Sequence, residues 1–406
     1  MLNVEGGQQV RKKILLIHHS GLIGGGSLSL LDVWRVLEQR NDVVALIPQE
    51  PPNLSMLLQA QGRDFLTFRG RLPKIPFYSG GERLWHPRFW FYVVSILFQW
   101  RKWRRLIFSM DPDFVIVNSG VLAWLSLLLG EMPSACFVRE TAVRGGQGLW
   151  NAILRNLRDR FSLVVFLSEY DKRRARQKSA TALVIRDVAD SGEGCVAFSK
   201  QDACQRLNVP HETLNILLPG GVNKLKGFDL AVEGLSQLPS QYHLIVAGDS
   251  GDAGSRGIDW ILRSSRRYRR RAARKVFKLG LVDRVHYLGV VEDMNCAYSA
   301  SDLVLLPLRE GHQSRPAFEA GFQRKPVVIS SFPNLAECVF DGVNALTFSP
   351  GNNGEMVRAI KLLTTSRKLR QEVVLGNYGH AYSVHVRGNS DCELLDAVDE
   401  HFRSGR

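Results

Sequence analysis

Acidic residues are few in this chain. Against 53 Lys and Arg stand 39 Asp and Glu, leaving a formal net charge of +14, and such an excess concentrates anions through a long-range field. Nucleic acid, an anionic membrane surface and a polyanionic substrate all suit it, and charge alone does not choose among them. Cysteine is sparse too. Cys136, Cys195, Cys204, Cys296, Cys338 and Cys392 stand far apart with no CxxC pair, a spacing that suggests neither a zinc site nor a disulfide framework and fits a reducing, cytoplasmic compartment. Long apolar runs are missing as well. After the polar start MLNVEGGQQVRKK, the run ILLI stops at His18 and His19, too short for a signal-peptide core or a membrane span, so it reads as a first buried strand.

What is present is a recurrence of short apolar runs bounded by turn residues. ILLI (Ile14 to Ile17), VVALI (Val43 to Ile47), FVIV (Phe114 to Val117), ACFV (Ala135 to Val138) and LVVFL (Leu163 to Leu167) are separated by helical stretches. A second series runs through NILLP (Asn215 to Pro219), HLIVAG (His243 to Gly248), VHYLG, LVLLP (Leu303 to Pro307) and PVVIS (Pro326 to Ser330). That pattern predicts two consecutive α/β sheets, parallel and buried on both faces. With 406 residues and 45% hydrophobic content, the chain has material for two cores. The polar stretch from about Arg186 to Leu214 lacks a sustained apolar period and places an interdomain linker at 191–212. The domains are then expected at 1–190 and 213–379.

The segment SDLVLLPLREGHQSRPAFEAGFQRKPVVIS reads strand, loop, helix, strand, with Glu310 in the loop and Glu319 near the helix start. Ligands of open parallel sheets bind at the carboxyl ends of strands, where a carboxylate can accept from two neighbouring sugar hydroxyls. The adjoining helix N-terminus is expected to offer unpaired N–H groups from Ser314 to Phe318 to a phosphate. Carboxylates beside a phosphate site describe a nucleotide sugar.

This segment resembles the donor signature of the family 4 glycosyltransferases, in which two glutamates frame a Gly-rich loop. PNLAECVFDGVNALTF (Pro333 to Phe348) is similar to the family's next element, and GGVNKLKGFDLAVEGLSQL to its first C-domain loop and helix, with Lys226 and Gly227 on its Lys-Gly pair. VVFLSEYDKRR, LVIRDVAD and IGGGSLSLLDVWRVL extend the likeness over nearly the whole chain. The resemblance implies a GT-B fold: two Rossmann-like, doubly wound parallel-sheet domains facing a central cleft, with residues 380–406 crossing back to the first. It implies a hexosyltransferase that moves a sugar from a nucleotide-diphosphate sugar to a glycan or lipid-linked acceptor, with retention at the anomeric carbon and neither metal nor other cofactor. Lys226 would pair with the donor diphosphate, Glu319 would hold the ribose and Glu310 would touch the transferred sugar. Gly25, Gly26, Gly311, His312, Ser314 and Arg315 complete the expected donor-binding set.

Three departures qualify this carry-over. The family's usual Arg, five positions before Lys226, falls on Gly221, and nearby Lys224 lacks the planar fork of a guanidinium. Glu310 and Glu319 are one position further apart than usual, so either Glu310 or Gly311 fills the first slot. Where many relatives carry a catalytic-site His, this chain reads FVRET. There Arg139 can bind phosphate or acceptor with Glu140 as base, or the two can form a structural ion pair. The run Gly24-Gly25-Gly26-Ser27 follows strand one, where backbone can approach a ligand and Ser27 can cap a helix. It lacks the full GxGxxG spacing of a dinucleotide site. The alternative is a catalytically degenerate nucleotide-sugar-binding or scaffold protein.

Two basic stretches remain. LWHPRFWFYVVSILFQWRKWRRLIF (Leu84 to Phe108) sets Trp85, Trp90, Trp100 and Trp103 beside Arg101, Lys102, Arg104 and Arg105. It suits peripheral contact with an anionic membrane at its inner face, or else flanks the first sheet with its arginines solvated. RSSRRYRRRAARK (Arg263 to Lys275) has no RNA or DNA module around it, so nucleic acid is not the expected partner.

Overall fold

A strand whose every residue is apolar must be covered on both faces, and Ile14, Leu15, Leu16 and Ile17 are all at most 1% exposed. In the computed structural model, residues 11–403 are described apart from 71, 77, 80–85, 143–148, 179–180, 191–197, 249–263, 292 and 312. Within them β1 (Lys13–Ile17), β2 (Asp42–Pro48), β3 (Phe65–Phe68), β4 (Phe114–Val117), β5 (Ser134–Val138), β6 (Leu163–Phe166) and β7 (Thr181–Val184) form one sheet. Its order is β3-β2-β1-β4-β5-β6-β7, parallel throughout.

The second sheet holds β8 (Leu214–Pro219), β9 (Tyr242–Ala247), β10 (Val285–Gly289), β11 (Leu303–Leu306), β12 (Val327–Ser330) and β13 (Leu346–Phe348). It is again parallel, in the order β10-β9-β8-β11-β12-β13. This is the doubly wound GT-B architecture. β3 and β13 escape a search for apolar runs because they lie at sheet edges and Leu66 points to solvent. In each sheet the order reverses once, between β1 and β4 and between β8 and β11. Such reversals open the crevice in which doubly wound sheets take ligands.

The first sheet carries a core on each face. Leu15, Ile17, Val115 and Val117 pack with Trp103 and Ile107 of the helix Pro87–Phe108. Ile14, Leu16, Phe114 and Ile116 pack with Trp34 and with Leu394, Leu395 and Val398. These last three come from the helix Asp391–Arg403, so the end of the chain completes the first lobe.

The chain passes between lobes twice, side by side. Ala189 N–H donates to His385 O (2.9 Å) and Arg387 N–H to Ala189 O (3.2 Å). The His385 ring lies parallel to Phe318 of the second lobe, 4.1 Å between centroids. The polar stretch read as a linker holds a helix, Lys200–Leu207, whose buried Ala203 and Cys204 belong to the second lobe's core. Two buried side chains in eight residues leave too faint an apolar period to reveal it.

The lobes also touch across the cleft. Glu337 caps the N-terminus of the helix Glu169–Ala175, accepting from Glu169 N–H (2.9 Å) and Tyr170 N–H (2.5 Å).

Candidate functional site

The loop after β8 is shaped by glycine. Gly220 (φ +116°) and Gly221 (φ +70°) are in conformations that strain other residues, so the slot where the resemblance expects an arginine has glycine's backbone as well as its side chain. A Cβ at Gly220 would stand 2.9 Å from Lys226 Cγ, since the lysine stem folds over that turn. Gly227 (φ +74°) starts the helix Phe228–Leu235 against the end of β11, where a Cβ would overlap the Pro307 carbonyl oxygen. The loops after β8 and β11 are then joined directly, Arg309 N–H donating to Leu225 O at 3.0 Å. Lys226 and Glu310 each follow one end of that bond. Burial lowers the Lys226 ammonium to about 8.

Glu319 is set in the helix Arg315–Phe322. Its Oε2 accepts from Tyr298 OH (2.9 Å) and its Oε1 from Arg315 Nε (2.7 Å). Arg315 Nη1 reaches Asp32 of the first lobe at 2.9 Å. Burial works against the Arg315 charge, yet Asp32, Glu319 and Asp187 outweigh it and raise the guanidinium pKa. Glu310 is half-buried and makes no hydrogen bond or ion pair among the described residues. Gly311 sits against the second lobe's own side chains. A Cβ there would lie 2.6 Å from Asn334 Oδ1, and Asn334, 1% exposed, has its Nδ2 unpartnered among the described residues. Ser314 is the buried N-cap position without a side-chain cap. His312 lies outside the described residues. The helix start offers fewer free donors than the sequence suggests, because Pro316 has no N–H and Ala317 N–H already bonds Ser314 O (2.9 Å).

In the first lobe the helix Gly25–Leu37 begins after β1, and Cβ atoms at Gly24 and Gly25 would meet open space. Gly26 packs on His18, 3.5 Å from Cε1. Ser27 does not cap. Its hydroxyl donates to Leu22 O (2.6 Å) and meets His18 Nε2 (3.3 Å), while Gly24 holds the cap position. His18 Nδ1 accepts from Asn118 Nδ2 (3.2 Å), and burial, reinforced by Arg139 and Lys74, lowers this imidazole to about 3.

Arg139 and Glu140 go to different partners. Arg139 Nη1 pairs with Asp187 (2.5 Å) and its Nε donates to Asn118 Oδ1 (2.7 Å), so the guanidinium is held within the lobe. Glu140 takes Ser119 Oγ and Gly120 N–H (2.8 Å), and burial raises its pKa.

Two groups at this cleft went unread in the sequence. The His19 ring lies tilted at 47° to that of His18, 4.8 Å between centroids, and has its Nδ1 buried without a partner among the described residues. Asp171 follows β6 and joins the lobes, accepting from Ser168 Oγ (2.8 Å), Thr141 Oγ1 (3.2 Å) and, across the cleft, Gln313 Nε2 (3.4 Å). The pair HH at the end of strand one was a usable signal; an Asp in SEYDKRR was not.

The basic stretches are both helical. On Pro87–Phe108, Trp90, Phe91, Val94, Leu97 (64%) and Phe98 (88%) are exposed on one face. Arg101, Lys102, Arg104 and Arg105 follow in solvent, Trp103 is core, and Trp85 is outside the described residues. The helix Ser264–Lys278 exposes Arg267, Arg270, Arg271 and Arg274, and Arg263 precedes the described part. Among the described residues no helix is long and apolar enough to cross a membrane.

Comparison with known proteins decides what the second lobe is. Residues 213–366 match the family described as glycosyl transferases group 1. The likeness to that family lies in this segment, which contains Lys226, Glu310 and Glu319 together. A D-inositol 3-phosphate glycosyltransferase of Xylanimonas cellulosilytica is 31% identical over 144 residues, 35% of this chain and 32% of that protein. The chain thus spans about a third of the curated relative's length. Among solved structures, Anabaena HepE in complex with UDP and glucose aligns with a TM-score of 0.78 at 19% identity, over 96% of this chain and 100% of that one. The sucrose-phosphate synthase of Thermosynechococcus elongatus aligns at 0.74 and 17%, over 97% and 100%. At such identities the likeness is one of fold, carried by both lobes.

Proposed function

We propose that the chain is a hexosyltransferase that takes a nucleotide-diphosphate sugar in the second lobe and a glycan or lipid-linked acceptor in the first. One observation carries this reading: the bond from Arg309 N–H to Leu225 O sets Lys226 and Glu310 on adjoining loops at the strand-order reversal, with Glu319 on the next helix. Lys226 meets the diphosphate and stabilises the charge that develops as it leaves. Glu319, with one contact on each oxygen, keeps lone pairs for the ribose hydroxyls. Glu310 faces the hexose. The acceptor oxygen bonds the anomeric carbon while the bond to the diphosphate oxygen breaks, and the hydroxyl proton passes to the departing diphosphate, with retention and without metal. Support for such a donor comes from Anabaena HepE, a structure of which holds UDP-glucose.

The exposed face of Pro87–Phe108 suits an anionic bilayer, its apolar residues entering the interface and its four cations meeting lipid phosphates. That would bring a lipid-linked acceptor to the first lobe. A degenerate donor-binding protein is the second reading, favoured by glycine at the arginine slot Gly221.

The test is release of nucleoside diphosphate from a panel of nucleotide sugars, with and without a lipid extract, by wild type, Glu319→Ala and Lys226→Ala. Release with one donor, lost in both variants, is the expected result. Binding of a donor without turnover under any acceptor would favour the degenerate protein, and absence of binding would overturn the donor site.

A further inference from the structure

We propose, resting on the transferase reading, that the acceptor is a phosphate-bearing molecule and that it is held in a cavity of the first lobe. The cavity measures about 560 Å³ and lies at the carboxyl ends of β5 and β6, between the helices Leu149–Arg158 and Glu169–Ala175. Asp171 forms part of its wall and is also the residue that accepts from Gln313 of the donor-side loop. The cavity therefore adjoins the face on which the donor is placed.

The wall carries an uncompensated cation. Arg158 is 2% exposed, and its donors go only to neutral acceptors: Tyr78 OH (2.5 Å), Ala175 O (3.0 Å) and Gln177 Oε1 (3.2 Å). No carboxylate pairs with it among the described residues. A buried charge is ordinarily matched by an opposite one, because desolvating it alone is costly. Arg174 and Arg176 line the same space, the first bonded to Tyr170 OH at 2.8 Å, and Arg173 stands 3.7 Å from Glu337. The two acids in the wall are turned to other partners, Glu140 accepting from Ser119 Oγ and Gly120 N–H and Asp171 from Ser168 Oγ and Thr141 Oγ1, and burial raises the pKa of each.

A wall with a buried arginine that no carboxylate matches among the described residues, and two more arginines beside it, fits a phosphate, which brings nearly two negative charges and several acceptor oxygens. Asp171 fits the neighbouring hydroxyl. One of its oxygens is buried without a partner among the described residues, and an acceptor hydroxyl directed there would face the donor loop.

The experiment measures binding of glucose 6-phosphate and of glucose by calorimetry to three proteins: wild type saturated with UDP, Lys226→Ala, and the double variant Arg174→Gln, Arg176→Gln. These two arginines are not buried, so their exchange spares the core, and UDP binding by the double variant serves as a check on its fold. The expected result is binding of the phosphorylated sugar that persists in Lys226→Ala and weakens at least about tenfold in the double variant, with glucose bound far more weakly. Loss of that binding in Lys226→Ala, equal binding of both sugars, or an unchanged double variant would overturn the proposal. Failure of wild type to bind any of UDP, GDP and ADP would instead count against the donor site, and the phosphate measurement on Lys226→Ala stands apart from it.

Discussion

Arg315 holds Asp32 of the first lobe at 2.9 Å and Glu319 of the second at 2.7 Å. The carboxylate proposed for the ribose is thereby positioned by a cation that also fastens the lobes. Donor affinity and lobe closure should be coupled through this one side chain. Arg315→Ala is expected to cost about 3–5 kcal/mol, as removal of one member of a buried charge network usually does, and to weaken donor binding. Thermal unfolding and UDP titration check it. The distinguishing variant is Asp32→Asn, which leaves Glu319 its contacts. If it leaves UDP affinity unchanged, Glu319 is set by its own lobe alone.

With Lys226 on the donor diphosphate, as proposed, stability and donor binding respond to pH in opposite senses. Its folded pKa of about 8 lies below the ordinary lysine value of about 10.4. Between those limits the unfolded chain binds a proton that the folded one releases, so this lysine's contribution to stability improves as pH rises through the window. Donor binding runs the other way. A diphosphate favours the charged amine, so above about pH 8 binding takes up a proton and affinity falls by up to about tenfold per pH unit. Calorimetry in buffers of different ionisation enthalpy should register the proton. Lys226→Arg should flatten the profile.

Gly227 joins two requirements in one position, a positive φ and a close approach to Pro307 O. Gly227→Ala is expected to lose about 1–2 kcal/mol from the backbone conformation alone and more from displacing β11's end. Because that end fixes the loop of Glu310, turnover should fall more steeply than thermal stability. A variant that unfolds earlier yet keeps its donor affinity would separate the fold from the loop.

Leu97 and Phe98 form the outermost part of the apolar face on Pro87–Phe108. Full burial of such a side chain stabilises by about 1.5–3 kcal/mol, so Leu97→Asp with Phe98→Asp should release the protein from vesicles rich in phosphatidylglycerol. Flotation of wild type and variant on anionic and zwitterionic vesicles decides it. Equal flotation of both proteins would remove the bilayer as the occupant of this face.

Much of the architecture was legible because runs such as FVIV and LVLLP are buried on both faces and interrupted by helices. β3 and β13 were not, being short edges with a single covered side. Within the candidate site, Glu310 and Glu319 were singled out by the strand-loop-helix reading and Lys226 by the family resemblance. Their companions were hidden because they come from elsewhere in the chain: Asn334 against Gly311, Tyr298 on Glu319, Asp171 beneath Gln313. Arg139 next to Glu140 invited a pairing of neighbours, whereas successive residues leaving a strand face opposite ways, and Arg139 found Asp187 instead. Such partnerships exist only once two loops converge.

The helix Asp391–Arg403, packed beneath β1 and β4, also sets an order of assembly. On a ribosome the first sheet emerges early, yet one of its faces, covered in part by Trp34 and Leu37, stays incomplete until the helix Asp391–Arg403 has been joined. During that interval Ile14, Leu16, Phe114 and Ile116 lack the cover that Leu394, Leu395 and Val398 supply. The second lobe, contiguous in the chain, can close its own core first, and the lobe begun first is the last to be finished.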